Sequence, residues 1–150
     1  MISITILRKK WYNVLKKPKT YIKQAINLSL NYLNILKYNP IISIVLADDI
    51  LLHQLNYKYR KKDKPTNVLS FTYEALSYNC CLGEIFISLD TIIKESIELE
   101  IPAIDHTAHM LIHGLLHILG YDHKTSEETS KMQSLEIILL GKLGIKNPYI

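Results

Sequence analysis

The segment from His113 to His123, H-G-L-L-H-I-L-G-Y-D-H, limits what this chain can fold into more than any other stretch. It demands a helix that stops on cue. His113 and His117 are four residues apart, so a helix projects both from one face, one above the other. Gly120 is the residue type that most easily takes the left-handed turn ending a helix. His123 lies just past that turn and can fold back towards the same point. Three neutral imidazoles form the donor set of a catalytic zinc, with the fourth tetrahedral position left to water.

The spacing H-x-x-x-H-x-x-G-x-x-H is shared with zinc proteases that carry an extended H-E-x-x-H helix. Their catalytic Glu is replaced here by Gly114. The chain keeps the metal ligands and lacks the base for peptide hydrolysis. That combination points to a metal hydrolase of another kind.

Two more histidines, His106 and His109, precede the pair on the same helix. Around the helix, Ile104, Ala108, Leu111, Ile112, Leu115, Leu116 and Leu119 fill one arc and the four histidines roughly the opposite one. A core histidine is expected within the apolar stripe, so none of the four is expected in the core. Axial distance chooses the ligands. His109 and His117 are separated by about 12 Å along the axis, too far for one ion with bonds of about 2.0–2.1 Å. His123 lies near the 113/117 end only, so the predicted metal ligands are His113, His117 and His123. His106 and His109 are left as hydrogen-bonding groups beside them. Asp122 either orients a ligand imidazole or caps the turn.

A length of 150 residues, 48% apolar and 21% charged, is that of one soluble globular domain, 1–150, with a real core. The adjacent Cys80 and Cys81 do not suit a disulfide with each other and make no framework, which favours reduced thiols and a cytoplasmic protein. No run reaches the length of a membrane span, and the N-terminus, with its apolar run before its charges, is the reverse of a signal peptide. The net charge of +4 is unevenly spread: Lys58, Arg60, Lys61, Lys62 and Lys64 fall within seven residues, and a second basic region runs from Arg8 to Lys23. These are either solvated faces or surfaces that attract phosphates.

Alternation of Ile2, Ile4 and Ile6 predicts an opening strand. Pro18 starts a helix that runs to about Lys37. Ile41 to Leu46 is a second strand, and Asp48 or Asp49 caps a short helix carrying Ile50, Leu51 and Leu55. Residues 58 to 66 are a basic loop. Asn67 to Tyr73 and Cys81 to Ser88 are two strands that can pair as an antiparallel hairpin. Helices follow from Ser88 or Asp90 to Leu99, from Pro102 to Gly120, and from a capping box at Thr125 and Glu128 to about Lys142. The expected architecture is α/β or α+β: a small mixed four-stranded sheet covered by about five helices. Strand order does not follow from the pattern.

With these residues in view, the chain resembles the YbeY family of bacterial endoribonucleases. Its His113–His123 string is similar to that family's H-G-x-L-H-x-x-G-Y-D-H signature. Leu55 to Phe71, L-N-Y-K-Y-R-K-K-D-K-P-T-N-V-L-S-F, resembles the family's L-N-x-x-Y-R-x-x-D-x-P-T-N-V-L-S-F block. Leu82-Gly83-Glu84-Ile85 resembles its L-G-D-I, with Glu84 where Asp is usual. The resemblance implies one zinc on His113, His117 and His123 and a functional arginine at Arg60. It also implies action on single-stranded RNA in small-subunit ribosomal RNA 3′-end maturation and ribosome quality control, with ribosomal RNA and the small subunit as partners. Zn²⁺ polarises phosphoryl oxygens, and arginine stabilises the charge gathering on them, so the chemistry agrees. The general base stays open between the metal's water, His109 and Asp122. Two other readings compete: a ribosome-assembly factor with a mainly structural zinc, and a metalloprotease or amidase, which Gly114 and the basic segment disfavour.

Overall fold

Strand β1 (Ile2–Ile6) shows a half-buried, exposed alternation that matches its Ile/Ser/Thr pattern in the computed structural model, which describes residues 1–150. Strands β2 (Ile41–Ala47), β3 (Val68–Thr72) and β4 (Cys81–Ser88) complete one sheet in the order β1-β2-β4-β3. β1, β2 and β4 are parallel, with Ile4 beside Ile44 and Ile44 beside Ile85. β3 runs antiparallel to β4, Ser70 opposite Ile85, and forms an edge of the sheet. The mixed sheet follows from the connections. Helices carry the chain between the parallel strands, whereas β3 and β4 are joined directly by the loop of residues 73–80.

Five helices surround this sheet: α1 (Pro18–Tyr32), α2 (Asp49–Arg60), α3 (Leu89–Leu99), α4 (Ala103–Ile118) and α5 (Ser126–Lys142). No helix is long and apolar enough to cross a membrane. The main core lies between the sheet and α1 and α4, built from Ile22, Ile26, Ile42, Ile44, Ile85, Leu111 and Leu115 among others. Trp11 anchors one end, fully buried, its indole N–H donating to the Ala47 carbonyl at 3.0 Å. On the opposite face α2 packs Leu52 against Val45, Ala47 and Leu69. A third cluster joins α4 to α5 through Ala108, Ile112, Leu116, Met132, Leu139 and Leu140. α4 is thus covered on most of its circumference.

Three sequence expectations need correction. The first helix stops at Tyr32 rather than Lys37, because Asn34 takes a left-handed conformation (φ 59°) and a 3-10 turn follows at Leu36–Tyr38. α2 runs on to Arg60, so the basic segment is helical to that point and the loop begins at Lys61, itself left-handed (φ 56°). Charge in residues 58 to 60 reflects the helix's exposed last turn, where cations also suit the dipole. His106 is a core residue, buried among α3 and α4 with Nε2 2.8 Å from Oε1 of Glu95. The arc opposite the apolar stripe faces another helix there, not solvent.

Other boundaries agree closely. Asp48 caps α2 by accepting from the Leu51 N–H at 3.0 Å, and Thr125 caps α5 by accepting from the Glu128 N–H at 3.1 Å. Cys80 is buried, Cys81 exposed, and both are free thiols.

Candidate metal centre

α4 can lie close on β3 and β4 because it presents a glycine to them. A Cβ on Gly114 would stand 2.9 Å from Ile85 Cγ2 and from Ser70 Oγ, and 3.3 Å from Val68 Cγ2. The position occupied by Glu in the zinc proteases therefore points into the sheet, where even a Cβ crowds its neighbours. From the other side, a Cβ on Gly83 in β4 would collide first with the Phe71 backbone carbonyl of β3 and would also meet Ile118 of α4 at 3.1 Å. The two glycines fix the depth of the helix, and Ser70 fastens it by donating its hydroxyl to the Gly114 carbonyl at 3.2 Å.

The end of α4 then folds as the sequence requires. Gly120 has φ 99°, the Tyr121 N–H donates to the Leu116 carbonyl and the Gly120 N–H to that of His117, both at 3.0 Å. This paired closure is the Schellman motif. It turns the chain back so that His123 faces His113 and His117. Asp122 Oδ1 accepts the His123 N–H at 2.8 Å, and Thr129 of α5 donates its hydroxyl to the His123 carbonyl at 3.2 Å. Asp122 thus holds the turn, the second of the two roles the sequence allows it.

One nitrogen from each of His113, His117 and His123 lies within 4.8 Å of the other two. The Nε2 atoms of His113 and His117 are 3.1 Å apart, a separation suited to two ligands of one ion with bonds of about 2.0–2.1 Å. Burial, followed by the neighbouring His113 and His123, holds the His117 pKa below its ordinary value, which favours the neutral imidazole that a metal needs. Three imidazole nitrogens without a carboxylate among them suit a divalent first-row transition ion. His109 stands outside this cluster, as the axial argument requires.

The residue that sequence reasoning missed is Glu136. It projects from α5 with 1% of its surface exposed. Its Oε2 lies 3.1 Å from Nδ1 of His113, and its Oε1 contacts Nε2 of His109 and accepts from Tyr149 Oη at 2.6 Å. Burial raises the Glu136 pKa, but the hydrogen bonds from His109, His113 and Tyr149 outweigh it and leave the value lowered to about 2. An ionised carboxylate only accepts, so the His113 nitrogen facing it carries the hydrogen. That leaves Nε2 of His113 free as a ligand. A signal existed in the sequence: Glu136 falls on the stripe of Met132, Leu139 and Leu140, and a charge on an apolar stripe needs partners.

The histidines of the cluster border a cavity of about 670 Å³ between α4 and the β3 edge. Arg60, Asn67, Ser70, Thr72, His109, His113, His117, Asp122 and His123 all line it. The structure therefore brings Arg60 and the three histidines to one cavity, although 52 residues lie between Arg60 and His113. The cation is exposed and held only loosely, Nη1 lying 3.4 Å from Asn56 Oδ1. Glu84 is elsewhere, on the α2 side of the sheet, accepting from Ser43 Oγ and Tyr73 Oη at 2.9 Å each. It takes no part in the centre.

Comparison with known proteins agrees with this geometry. A family model described as Endoribonuclease YbeY matches residues 5–144. Proteins named Endoribonuclease YbeY are similar over nearly their whole length. The one from Ehrlichia canis (strain Jake) is 63% identical, covering 100% of this chain and 97% of the relative. That from Anaplasma phagocytophilum (strain HZ) is 52% identical, covering 99% and 97%. The solution structure of TM1509 from Thermotoga maritima shares the fold, with a TM-score of 0.60 and 22% identity over 95% of this chain and 91% of that one. The chain belongs to the YbeY family of endoribonucleases.

Proposed function

We propose that this chain is a zinc-dependent endoribonuclease of single-stranded RNA, acting in the cytoplasm on the 3′ end of small-subunit ribosomal RNA and in ribosome quality control. The observation that carries the reading is the single cavity shared by Arg60 and the His113/His117/His123 cluster. His113, His117 and His123 would hold the ion. Bound there, Zn²⁺ supplies Lewis acidity towards a phosphoryl oxygen and lowers the pKa of water towards neutrality.

The chain's own residues do the rest. Arg60 offers a permanent charge and a planar fork of donors to the non-bridging oxygens of a phosphodiester, where charge gathers as the bond breaks. Lys61 and Lys62, next in sequence and exposed, extend the positive field along the RNA backbone. Ser70, Thr66 and Asn67 give the β3 side of the cavity polar groups that suit a nucleotide. Gly114 packs against the sheet, so a peptidase base has no place at that position.

Purified protein, stripped of metal and then reloaded with zinc, tests the reading on matched single-stranded and duplex ribosomal RNA. The expected result is cleavage of the single strand only, restored by zinc. Cleavage that survives metal removal contradicts it. A structural-zinc assembly factor predicts instead that an Arg60→Ala strain, whose zinc and fold are kept, matures ribosomal RNA better than a deletion strain does. The proposed nuclease predicts equal defects.

A further inference from the structure

Beyond α5 the chain returns to the metal centre by a stiff turn. Ile145 packs against the cluster between α4 and α5. Asn147 Oδ1 then accepts the Tyr149 N–H at 2.8 Å, and Pro148 between them has a fixed φ. Local chemistry therefore presets where Tyr149 goes. Its hydroxyl donates to Glu136 Oε1 at 2.6 Å, and its ring meets that of His109 edge-on at 5.5 Å and 90°. Tyr149 borders both the 670 Å³ cavity and a second one of about 290 Å³, which meet at His113 and His123.

A carboxylate as buried as Glu136 is expensive unless its lone pairs are filled. Tyr149 and His109 fill Oε1, and His113 alone fills Oε2. The partners of Oε1 fix the plane of the carboxylate. That plane sets where Oε2 lies, and so which way the His113 ring turns Nε2 towards His117.

We propose that Tyr149 is a positioning residue of the metal centre: by locking Glu136 it holds His113 in the ligating tautomer and orientation, so the C-terminal turn sets the site's affinity for its ion. The inference rests on reading His113, His117 and His123 as metal ligands. Its chemistry is that of an outer hydrogen-bond shell, in which a carboxylate fixes a ligand imidazole and costs 10–100-fold in metal affinity when removed. Tyr149 acts one bond further out, so its effect is smaller and passes through Glu136.

The test is zinc titration of the full-length apoprotein against a chromophoric chelator, with no RNA present. Tyr149→Phe, which removes only the hydroxyl, should keep one ion per chain and weaken it about three- to tenfold. Glu136→Gln should weaken it roughly ten- to a hundredfold, and Tyr149→Phe should add little in that background. Asn147→Ala, which loosens the turn but keeps the hydroxyl, should fall between wild type and Tyr149→Phe. The ¹⁵N spectrum of the apoprotein should show His113 protonated on Nδ1 in wild type and a mixed tautomer in Glu136→Gln. Tyr149→Phe and Asn147→Ala both binding zinc as wild type does would overturn the proposal. So would a loss of affinity no larger than the variants' unfolded fraction explains. Wild type binding no zinc would overturn the ligand reading itself, a separate and distinguishable failure.

Discussion

Ser70 and Gly114 meet where the edge strand and the histidine helix touch: the Ser70 hydroxyl donates to the Gly114 carbonyl at 3.2 Å, and its oxygen lies 2.9 Å from where a Cβ on Gly114 would stand. His113, next in sequence to Gly114, and His117 one turn on inherit their depth over the cleft from this contact. A methyl at Gly114 gains about 0.8–1.0 kcal/mol of helix propensity and costs about 1–3 kcal/mol of overpacking. Overpacking wins. Gly114→Ala should be destabilised in urea unfolding by about 1 kcal/mol. Gly141 in α5, where a Cβ would meet nothing within 4 Å, is the control. Gly141→Ala should gain about 0.5–1 kcal/mol. Equal and positive shifts for both variants would contradict the packing account.

Elemental analysis should find one zinc per chain, lost in His113→Ala, His117→Ala and His123→Ala. His109→Ala should retain it at saturating zinc, since His109 lies outside the ligand cluster. The opposite pattern, His109→Ala empty and His123→Ala full, would move the ion to the other end of α4.

Casein should not be hydrolysed above background by the wild-type protein or by Gly114→Glu. The second variant restores the protease motif on paper, but its side chain would have to enter the space of Ile85, Ser70 and Val68. Metal-dependent peptidase activity that follows the wild-type protein through a column would sink the nuclease reading.

Asp48 gives stability a pH signature. Its hydrogen bond from the Leu51 N–H, and then its pairing with Arg8, hold its carboxyl below the ordinary value of 3.8. A depressed carboxylate stabilises the fold above its unfolded pKa, and that contribution is lost as pH falls through the folded value. Asp48→Ala should therefore cost about 0.5–2 kcal/mol at pH 7, shrinking as pH drops below 3.8. Urea midpoints of both proteins across that range check it, and a gap that stays constant into acid would contradict the assignment.

Much of this was legible in the chain. The strand at Cys81–Ser88, the caps at Asp48 and Thr125, and the stop at Gly120 are local events, written in residues within a few positions of one another. So was the cluster of His113, His117 and His123, because a helix and one turn bring them together. What escaped was set by distant parts of the chain. Glu136 meets His113 across two packed helices, and Tyr149 reaches it by way of a turn beyond α5. His106 looked solvent-facing on the helical wheel because the wheel does not show α3 and its Glu95. Arg60 read as a loop residue because charge at an exposed last turn resembles loop composition.

The central claim is that Arg60 and the three histidines work on one phosphodiester in one cavity. Single-turnover cleavage of single-stranded ribosomal RNA, at saturating RNA and with zinc content measured on the same samples, tests it most directly. Saturation removes binding from the comparison, so Lys61→Ala and Lys62→Ala should cleave near the wild-type rate while binding RNA more weakly and with a flatter salt dependence. Arg60→Ala should keep its zinc and its fold and lose roughly ten- to a thousandfold in rate. An Arg60→Ala protein that holds zinc and cleaves at the wild-type rate would contradict the account, leaving Arg60 a binding residue like its neighbours.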